Sequence, residues 1–263
     1  MNFISSNIRS LILDMDGVLW KGDIQIGNLP AIFERIRARG LKVAFATNNG
    51  TQTPEQYVAR LAALGVHVEP WQVVTSSLVV AHLLSQSFPS GGPVFAIGES
   101  GLTTALREKG FIPLSVDETE SAQAVVIGVD RQINFKKMCE ATLLVGRGLP
   151  FYATNPDKSF PTPRGKLPGA GAWASVIITA TNIVPIYAGK PSPLLIEIAC
   201  NRMGMANEAV LVVGDRVDTD IAAGQAAGCP VAHVLSGISS REAAETWRPR
   251  IDIIAENLGE LVS

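Results

Sequence analysis

The sequence has few of the features that mark a secreted, membrane-bound or nucleic-acid-binding protein. Its 263 residues include only three cysteines, an odd number without metal-ligand spacing, so we expect neither a disulfide framework nor a cysteine metal site. Lysine and arginine total 22 against 24 acidic residues, and the net charge of −2 offers no basic surface to a nucleic acid polymer. The most apolar long window, 173–188, contains polar residues and a proline, and the N-terminus has no basic region followed by an apolar run. We therefore expect a cytoplasmic protein with no nucleic acid partner and no membrane segment.

Apolar runs of strand length alternate with helical patterns along most of the chain. Residues 11–13 and 41–46 are such runs, and the helical pattern between them stops at Gly40. Repeated alternation of this kind predicts an α/β fold with a parallel sheet. The stretch 154–168 holds four prolines and several charges, so we expect it to be a long irregular loop with a functional role.

Polar side chains follow three of the predicted strands directly. Asp14 and Asp16 follow the first strand, Thr47 and Asn48 follow the second, and Asp215 follows the apolar run 210–213. A lysine, Lys190, lies at another strand-to-helix junction. Because the carboxyl ends of parallel strands meet at one edge of a sheet, we expect these groups to converge there.

This set of residue types suits phosphoryl transfer. The transition state of that reaction requires positioning and charge neutralisation, and Mg²⁺ prefers carboxylates, waters and phosphate oxygens as ligands. Asp14 and Asp215 could supply the carboxylates, and an aspartate can itself be the nucleophile. Asp16 would then be available as the general acid and base. The groups that would neutralise or hold the phosphate oxygens are Lys190, Thr47 and Asn48.

Four segments resemble the four motifs of the haloacid dehalogenase superfamily, and they occur in its order. These segments are 14–18 (DMDGV), 47–49 (TNN), 189–191 (GKP) and 214–221 (GDRVDTDI). The long insert between the second and third motifs, with 154–157 (TNPD) and 168–172 (PGAGA), is similar to the type IIA cap. That subfamily includes the NagD-like and 4-nitrophenyl phosphatases.

The resemblance implies a role for each matching residue. Asp14 would be the nucleophile and a metal ligand, and Asp16 the acid/base, with its backbone carbonyl on Mg²⁺. Asp215 would be a further metal carboxylate. Asp220 would support the metal shell or Lys190 without necessarily touching the ion.

The resemblance also implies an architecture. A Rossmann-like parallel-sheet core would comprise residues 1–83 and 185–263, and an inserted α/β cap of the C2 type would comprise residues 84–184. Asn155 and Asp157 lie in the cap loop where a substrate would enter, and they could contact it or merely form turns. A homodimer is possible, since dimerisation through the cap is common in the subfamily.

We therefore expect a Mg²⁺-dependent phosphatase that hydrolyses small-molecule phosphomonoesters through an aspartyl-phosphate. A phosphomutase is an alternative, because it shares the aspartyl-phosphate but returns the phosphoryl group to a sugar. A receiver-like phospho-signalling module is another alternative, although such a module is about half this length and has no cap.

Overall fold

The computed structural model describes residues 4–162 and 164–263, which form two compact units. Unit 1 contains the described residues of 1–47 together with 54–74 and 190–263. Unit 2 contains 48–53 and the described residues of 75–189, so it interrupts unit 1 in the sequence. The sequence predicted a core of residues 1–83 and 185–263 and an insert of residues 84–184, and these limits stay a prediction. Residues 1–3 of the predicted core lie outside the described residues.

The strands and helices alternate over most of the chain. The strands are β1 (Ser10–Leu13), β2 (Trp20–Lys21), β3 (Ile24–Gln25), β4 (Lys42–Thr47), β5 (Val73–Thr75), β6 (Gly92–Ile97), β7 (Phe111–Leu114), β8 (Val125–Ile127), β9 (Phe151–Ala153), β10 (Ser159–Thr162), β11 (Gly165–Pro168), β12 (Ile186–Tyr187), β13 (Val210–Gly214), β14 (Val231–Val234) and β15 (Ile253–Ala255). The α-helices are α1 (Leu29–Ala38), α2 (Pro54–Ala63), α3 (Ser76–Ser87), α4 (Ser100–Glu108), α5 (Phe135–Gly146), α6 (Ala170–Thr181), α7 (Leu194–Met203), α8 (Ala222–Ala226), α9 (Arg241–Thr246) and α10 (Leu258–Leu261).

Unit 1 is built on a six-stranded sheet in the order β15-β14-β13-β1-β4-β5. The first strand, β1, is buried along its whole length and pairs in parallel with both β13 and β4. Its apolar side chains pack with those of α1 and the neighbouring strands into one hydrophobic cluster. A continuous apolar run is typical of a strand covered on both faces. The predicted catalytic motifs Asp14/Asp16, Thr47 and Asp215 therefore start from adjacent central strands.

Unit 2 has its own five-stranded sheet, in the order β12-β9-β8-β6-β7, and its own hydrophobic cluster. The strands of this five-stranded sheet pair in parallel, and α5 and α6 contribute buried residues to the cluster. The predicted α/β class with a parallel sheet is confirmed. Within the described residues, no helix is long and apolar enough to cross a membrane.

The expectation of an irregular loop over 154–168 was wrong in part. β10 and β11 pair there as an antiparallel ribbon, with residue 163 between them outside the described residues. Prolines removed donors that a central strand would need, but a two-stranded ribbon leaves many backbone groups to water and tolerates them. Two further elements were not anticipated, the short hairpin β2–β3 and the strand β7.

Candidate active site

Lys190 joins the carboxylates of two sequence-distant motifs in unit 1. Its Nζ lies 2.6 Å from Asp14 Oδ1 and 2.6 Å from Asp220 Oδ1, and it also donates to the carbonyl of Ala46 at 2.7 Å. The lysine is only 2% exposed. All three donor positions of the ammonium group are thus directed at oxygen atoms, which is the condition under which a buried charge is tolerated.

Asp220 reaches Lys190 because a helical turn follows β13. The segment Val217–Ile221 forms a π-type turn, and the backbone N–H of Arg216 donates to Asp220 Oδ2 at 3.0 Å. Gly214, the last residue of β13, has no room for a side chain because Asp220 packs directly against it. Asp218, by contrast, is exposed and pairs with Arg216 at 2.8 Å. The support role predicted for Asp220 is therefore compatible with its contacts.

Asp215 is held by the loop that follows β14. The backbone N–H of Ile238 donates to Asp215 Oδ2 at 2.7 Å, and Ser236 Oγ donates to the carbonyl of Gly17 at 2.7 Å. A side chain on Gly17 or Gly237 would overlap the Asp215 carboxylate. Gly17 also has a φ of +87°, which side-chain-bearing residues rarely adopt. Both glycines are thus required for the chain to approach this carboxylate.

Oxygen atoms of Asp14, Asp215 and Asp220 lie within 4.8 Å of one another. Three carboxylates face one lysine, so the cluster has an excess of negative charge. Burial raises the pKa of Asp14 well above its ordinary value despite the charge of Lys190. Burial likewise raises the pKa of Asp215 to about 7, and the charge of Asp220 adds to the effect. A divalent cation would relieve this excess, and an oxygen-only donor set fits a hard cation such as Mg²⁺.

Lys190 itself stays protonated. Burial would lower the pKa of Lys190, but the charges and hydrogen bonds of Asp14 and Asp220 outweigh that effect and raise it. The site therefore holds a permanent positive charge beside Asp14.

Asp16 lies two residues beyond Asp14 but is not part of the carboxylate cluster. The residue is exposed, and its Oδ1 accepts a hydrogen bond from the indole Nε1 of Trp20 at 3.0 Å. Partial desolvation raises the pKa of Asp16, whereas the Trp20 hydrogen bond and the charge of Arg60 oppose that shift. A carboxyl group of this kind, accessible and held at one oxygen, can exchange protons with a bound molecule.

Thr47 is buried at the end of β4. Its side chain forms a hydrogen bond with the phenol of Tyr57 of α2. Burial is the main cause that raises the pKa of Tyr57, and the negative charge of Asp16 raises it further. The phenol of Tyr57 therefore stays protonated at neutral pH, and its hydrogen bond helps to position Thr47 within unit 1.

Comparisons with known proteins identify the family of this chain. A haloacid dehalogenase-like hydrolase model matches residues 11–112, and a HAD-hydrolase-like model matches residues 187–261. An acid sugar phosphatase of Staphylococcus aureus is 37% identical over 234 residues, 89% of each chain. The chain belongs to the haloacid dehalogenase-like hydrolases.

Solved structures place the chain among the NagD-like phosphatases of that family. NagD from E. coli K-12 is 32% identical, with a TM-score of 0.87 over 96% of this chain and 98% of that one. A glycerol phosphate phosphatase from Mycobacterium tuberculosis, in complex with magnesium, is 34% identical, with a TM-score of 0.92 over 100% of this chain and 79% of that one. The predicted family, the predicted cap architecture and the predicted enzyme class, a HAD-type phosphatase, are confirmed.

Three of the predicted site residues of this HAD phosphatase lie together in unit 2. Asn48 Nδ2 donates to Asp157 Oδ2 at 2.9 Å, and Asn155 Nδ2 donates to the carbonyl of Asn48 at 2.7 Å. The backbone N–H of Asp157 in turn donates to Asn155 Oδ1 at 3.1 Å. The segments 48–53 and 154–157 are therefore tied to each other, while the substrate contacts predicted for Asn155 and Asp157 stay predictions.

Sequence reasoning missed several residues that hold the site in place. Ser236 and Ile238 follow β14, a strand whose end carries no carboxylate or lysine to draw attention to it. Tyr57 and Arg60 lie three residues apart on α2, a spacing that also fits an ordinary amphipathic helix. Trp20 follows the first motif closely, but nothing in the motif indicates that its indole N–H meets Asp16.

Proposed function

We propose that this HAD phosphatase hydrolyses small-molecule phosphomonoesters with the help of Mg²⁺, through an aspartyl-phosphate formed on Asp14. The observation that carries the proposal is the buried ion-pair set in which Lys190 lies 2.6 Å from both Asp14 and Asp220, with Asp215 beside them. This set would supply a nucleophile, a fixed cation and a cluster of acidic side chains in one place.

In the first half of the reaction, an Asp14 carboxylate oxygen attacks the phosphorus atom. The bond from phosphorus to the ester oxygen breaks as Asp16 donates a proton to that oxygen, and the alcohol leaves. Lys190 neutralises charge on Asp14 and on the phosphoryl oxygens. Thr47 and Asn48, as the second-motif residues, would hold those oxygens in place.

In the second half, Asp16 takes a proton from water, and the water oxygen attacks the phosphorus atom. The bond between phosphorus and the Asp14 oxygen breaks, which releases inorganic phosphate and restores the carboxylate. The proton that Asp16 lost in the first half is thereby regained, so one group serves both steps.

The carboxylates of Asp14 and Asp215 and the backbone carbonyl of Asp16 would hold Mg²⁺, with Asp220 supporting Lys190. The ion supplies Lewis-acid neutralisation of the phosphoryl oxygens. Its presence would also balance the negative excess of the three-carboxylate cluster.

The substrate class follows from the chemistry and from the relatives. No group in the described site demands a nucleic acid polymer or a lipid, and the similar proteins bear the names acid sugar phosphatase and glycerol phosphate phosphatase. Sugar and polyol phosphates are therefore the first substrates to test. We also propose a catalytic core of residues 1–83 and 185–263 and a C2 cap of residues 84–184, with Asn155 and Asp157 in contact with the substrate. A homodimer and a cytoplasmic location complete the proposal.

The test is phosphate release from 4-nitrophenyl phosphate and from a panel of sugar and polyol phosphates, with and without Mg²⁺. Wild type should turn over only with the ion, and Asp14→Asn should abolish turnover while Mg²⁺ still raises the melting temperature. Asp218→Asn is the matched control, because this aspartate is exposed and pairs only with Arg216 among the contacts described above.

Two results would contradict the proposal. Equal turnover by Asp14→Asn would remove Asp14 as the nucleophile. Transfer of the phosphoryl group to a second sugar, without release of phosphate, would indicate a phosphomutase instead.

A further inference from the structure

The exposed carboxylate of Asp16 has one buried neighbour that can orient it. Trp20 is only 1% exposed, and the indole offers a single polar group, the Nε1–H donor. That donor is directed at Asp16 Oδ1, 3.0 Å away. A buried indole N–H usually finds a partner because leaving it unpaired is costly, so the bond favours one position of an otherwise solvent-accessible carboxylate.

The ring of Trp20 is in turn held by Arg60 of α2. The guanidinium carbon of Arg60 lies 4.0 Å from the ring centroid, and its Nη2 donates to the carbonyl of Gly22 in the β2–β3 turn. Arg60 thus contacts both the ring and the hairpin that carries it. A guanidinium group is planar, so it can lie against an aromatic face and is attracted to it. The ammonium group of a lysine reproduces this contact poorly.

The backbone around Trp20 leaves the ring little freedom. The N–H of Gly17 donates to the carbonyl of Trp20 at 2.7 Å, and Trp20 pairs with Gln25 in the β2–β3 hairpin. Asp16 and Trp20 therefore lie at the two ends of one tight turn, closed by backbone bonds and covered by Arg60.

We propose that Trp20 and Arg60 are positioning residues that hold the Asp16 carboxylate where it protonates the leaving oxygen, so that activity on alkyl phosphates depends on them more than activity on aryl phosphates does. This inference rests on the proposed function and deepens it. An alkoxide leaves poorly without a proton, whereas 4-nitrophenolate leaves readily unprotonated. Misplacing the acid should therefore penalise the first class selectively.

The first test compares kcat/KM for glycerol phosphate and for 4-nitrophenyl phosphate in wild type and Trp20→Phe. This parameter covers the steps up to departure of the leaving group, so it is insensitive to the later attack of water. General acid catalysis contributes about 10²- to 10⁴-fold, so a partly misplaced acid should lower the alkyl-to-aryl ratio by about 10-fold or more. Arg60→Lys should shift the ratio in the same direction by a smaller factor.

Trp247→Phe is the matched control. The Trp247 indole also donates to a side chain in unit 1, Gln225 Oε1 at 2.9 Å, but neither residue is part of the proposed machinery. Its loss should leave the ratio unchanged. An equal fall for both substrates in Trp20→Phe would indicate general damage and overturn the inference, as would an unchanged ratio.

A second measurement needs no turnover. In ¹⁵N-indole spectra the four tryptophans give four Nε1–H signals, and Trp20→Phe identifies one of them. Asp16→Asn should shift that signal strongly while the Trp247 signal stays in place, and Arg60→Lys should shift it less. A Trp20 signal that ignores Asp16→Asn overturns the inference even in an active enzyme. An inactive wild type in which the signal does respond overturns the proposed function while the Trp20–Asp16 contact stands.

Discussion

At the scale of single residues, Lys190 balances part of the negative charge of the buried carboxylate cluster in unit 1. This lysine is 2% exposed and is the cation within 2.6 Å of both Asp14 and Asp220. Breaking a buried ion pair by removing one partner leaves an uncompensated charge, which is far more damaging than losing a surface pair. We therefore expect Lys190 to contribute to stability as well as to the proposed chemistry.

Lys190→Met should lower the free energy of unfolding of the metal-free protein by about 3–5 kcal/mol at neutral pH. The loss should shrink as the pH falls, because protonation of the remaining carboxylates removes their repulsion. Urea denaturation in the presence of EDTA measures both effects. Lys42→Met is the control, because the exposed side chain of that lysine donates to the backbone carbonyl of Met203 and is no part of the carboxylate cluster, so its loss should cost within about 0.5 kcal/mol. A similar cost for both variants would refute the role of the buried pairs.

Mg²⁺ should stabilise the protein more as the pH rises. The pKa of Asp215 is raised from 3.8 to about 7, so the folded state binds this proton more tightly than the unfolded state does. The stability of the metal-free protein should therefore fall as the pH rises from about 4 to about 7, and the metal competes with the proton over that interval.

The check is the shift in melting temperature on adding Mg²⁺ at pH 5 and at pH 8. The shift should be larger at pH 8, and this pH dependence should be weakened in Asp215→Asn and retained in Asp218→Asn. A shift that is independent of pH would argue that Asp215 is ionised throughout.

At the scale of elements, three segments that follow strands of unit 1 supply or position the carboxylates of the candidate site. The turn after β1 supplies Asp14 and Asp16, the segment after β13 supplies Asp215 and, within its π-type turn, Asp220, and the backbone of the loop after β14 contacts Asp215. The last of these contains no catalytic residue of its own. Its function is to direct the Ile238 N–H at the carboxylate, and Gly237 makes that approach possible.

Gly237→Ala should weaken Mg²⁺ binding by about 10- to 100-fold, the usual effect of disturbing a group that orients a metal ligand. The added methyl group would overlap the Asp215 carboxylate and displace it. Calorimetric titration with Mg²⁺ measures the affinity.

Gly228→Ala is the matched glycine control. Gly228 has a φ of +74° and open space around it, so this change should cost about 1 kcal/mol of stability and leave Mg²⁺ affinity intact. Wild-type affinity in Gly237→Ala would show that the loop is not needed to hold Asp215.

At the scale of the whole molecule, the two units differ in what they contain. Each has its own sheet and its own hydrophobic cluster, and all three carboxylates of the cluster belong to unit 1. Unit 2 contains Asn48, Asn155 and Asp157, joined by their own hydrogen bonds. The predicted site residues therefore fall partly in unit 1 and partly in unit 2.

Mg²⁺ should slow amide hydrogen exchange in unit 1 and leave the sheet of unit 2 almost unaffected. Ligand binding stabilises only the regions whose opening disrupts the site, and separate cores can open separately. Exchange followed by mass spectrometry should show protection in peptides covering β1, β13 and the loop after β14. Equal protection of β6 and β8 would mean that the chain opens as one cooperative body.

Much of the fold followed from sequence pattern alone. The run 11–13 reads as a buried strand and is buried throughout in β1, and Gly40 marks the end of α1. The ribbon β10–β11 and the hairpin β2–β3 could not be predicted in this way. Both are short, polar and proline- or glycine-containing, so their pairing depends on local backbone geometry and has no apolar period to reveal it.

The sequence by itself determined the parallel α/β fold class and the family, and it singled out the residues that we propose carry the chemistry, because aspartate, threonine and lysine at strand ends leave few alternatives once a parallel sheet is accepted. The tertiary structure alone decided how those residues are held. Lys190 meets Asp14 across 176 positions of sequence, Ile238 meets Asp215 across 23, and Arg60 of α2 covers Trp20 of β2. Contacts of this kind depend on how the elements pack, and the spacing of residues along one chain carries no record of that packing.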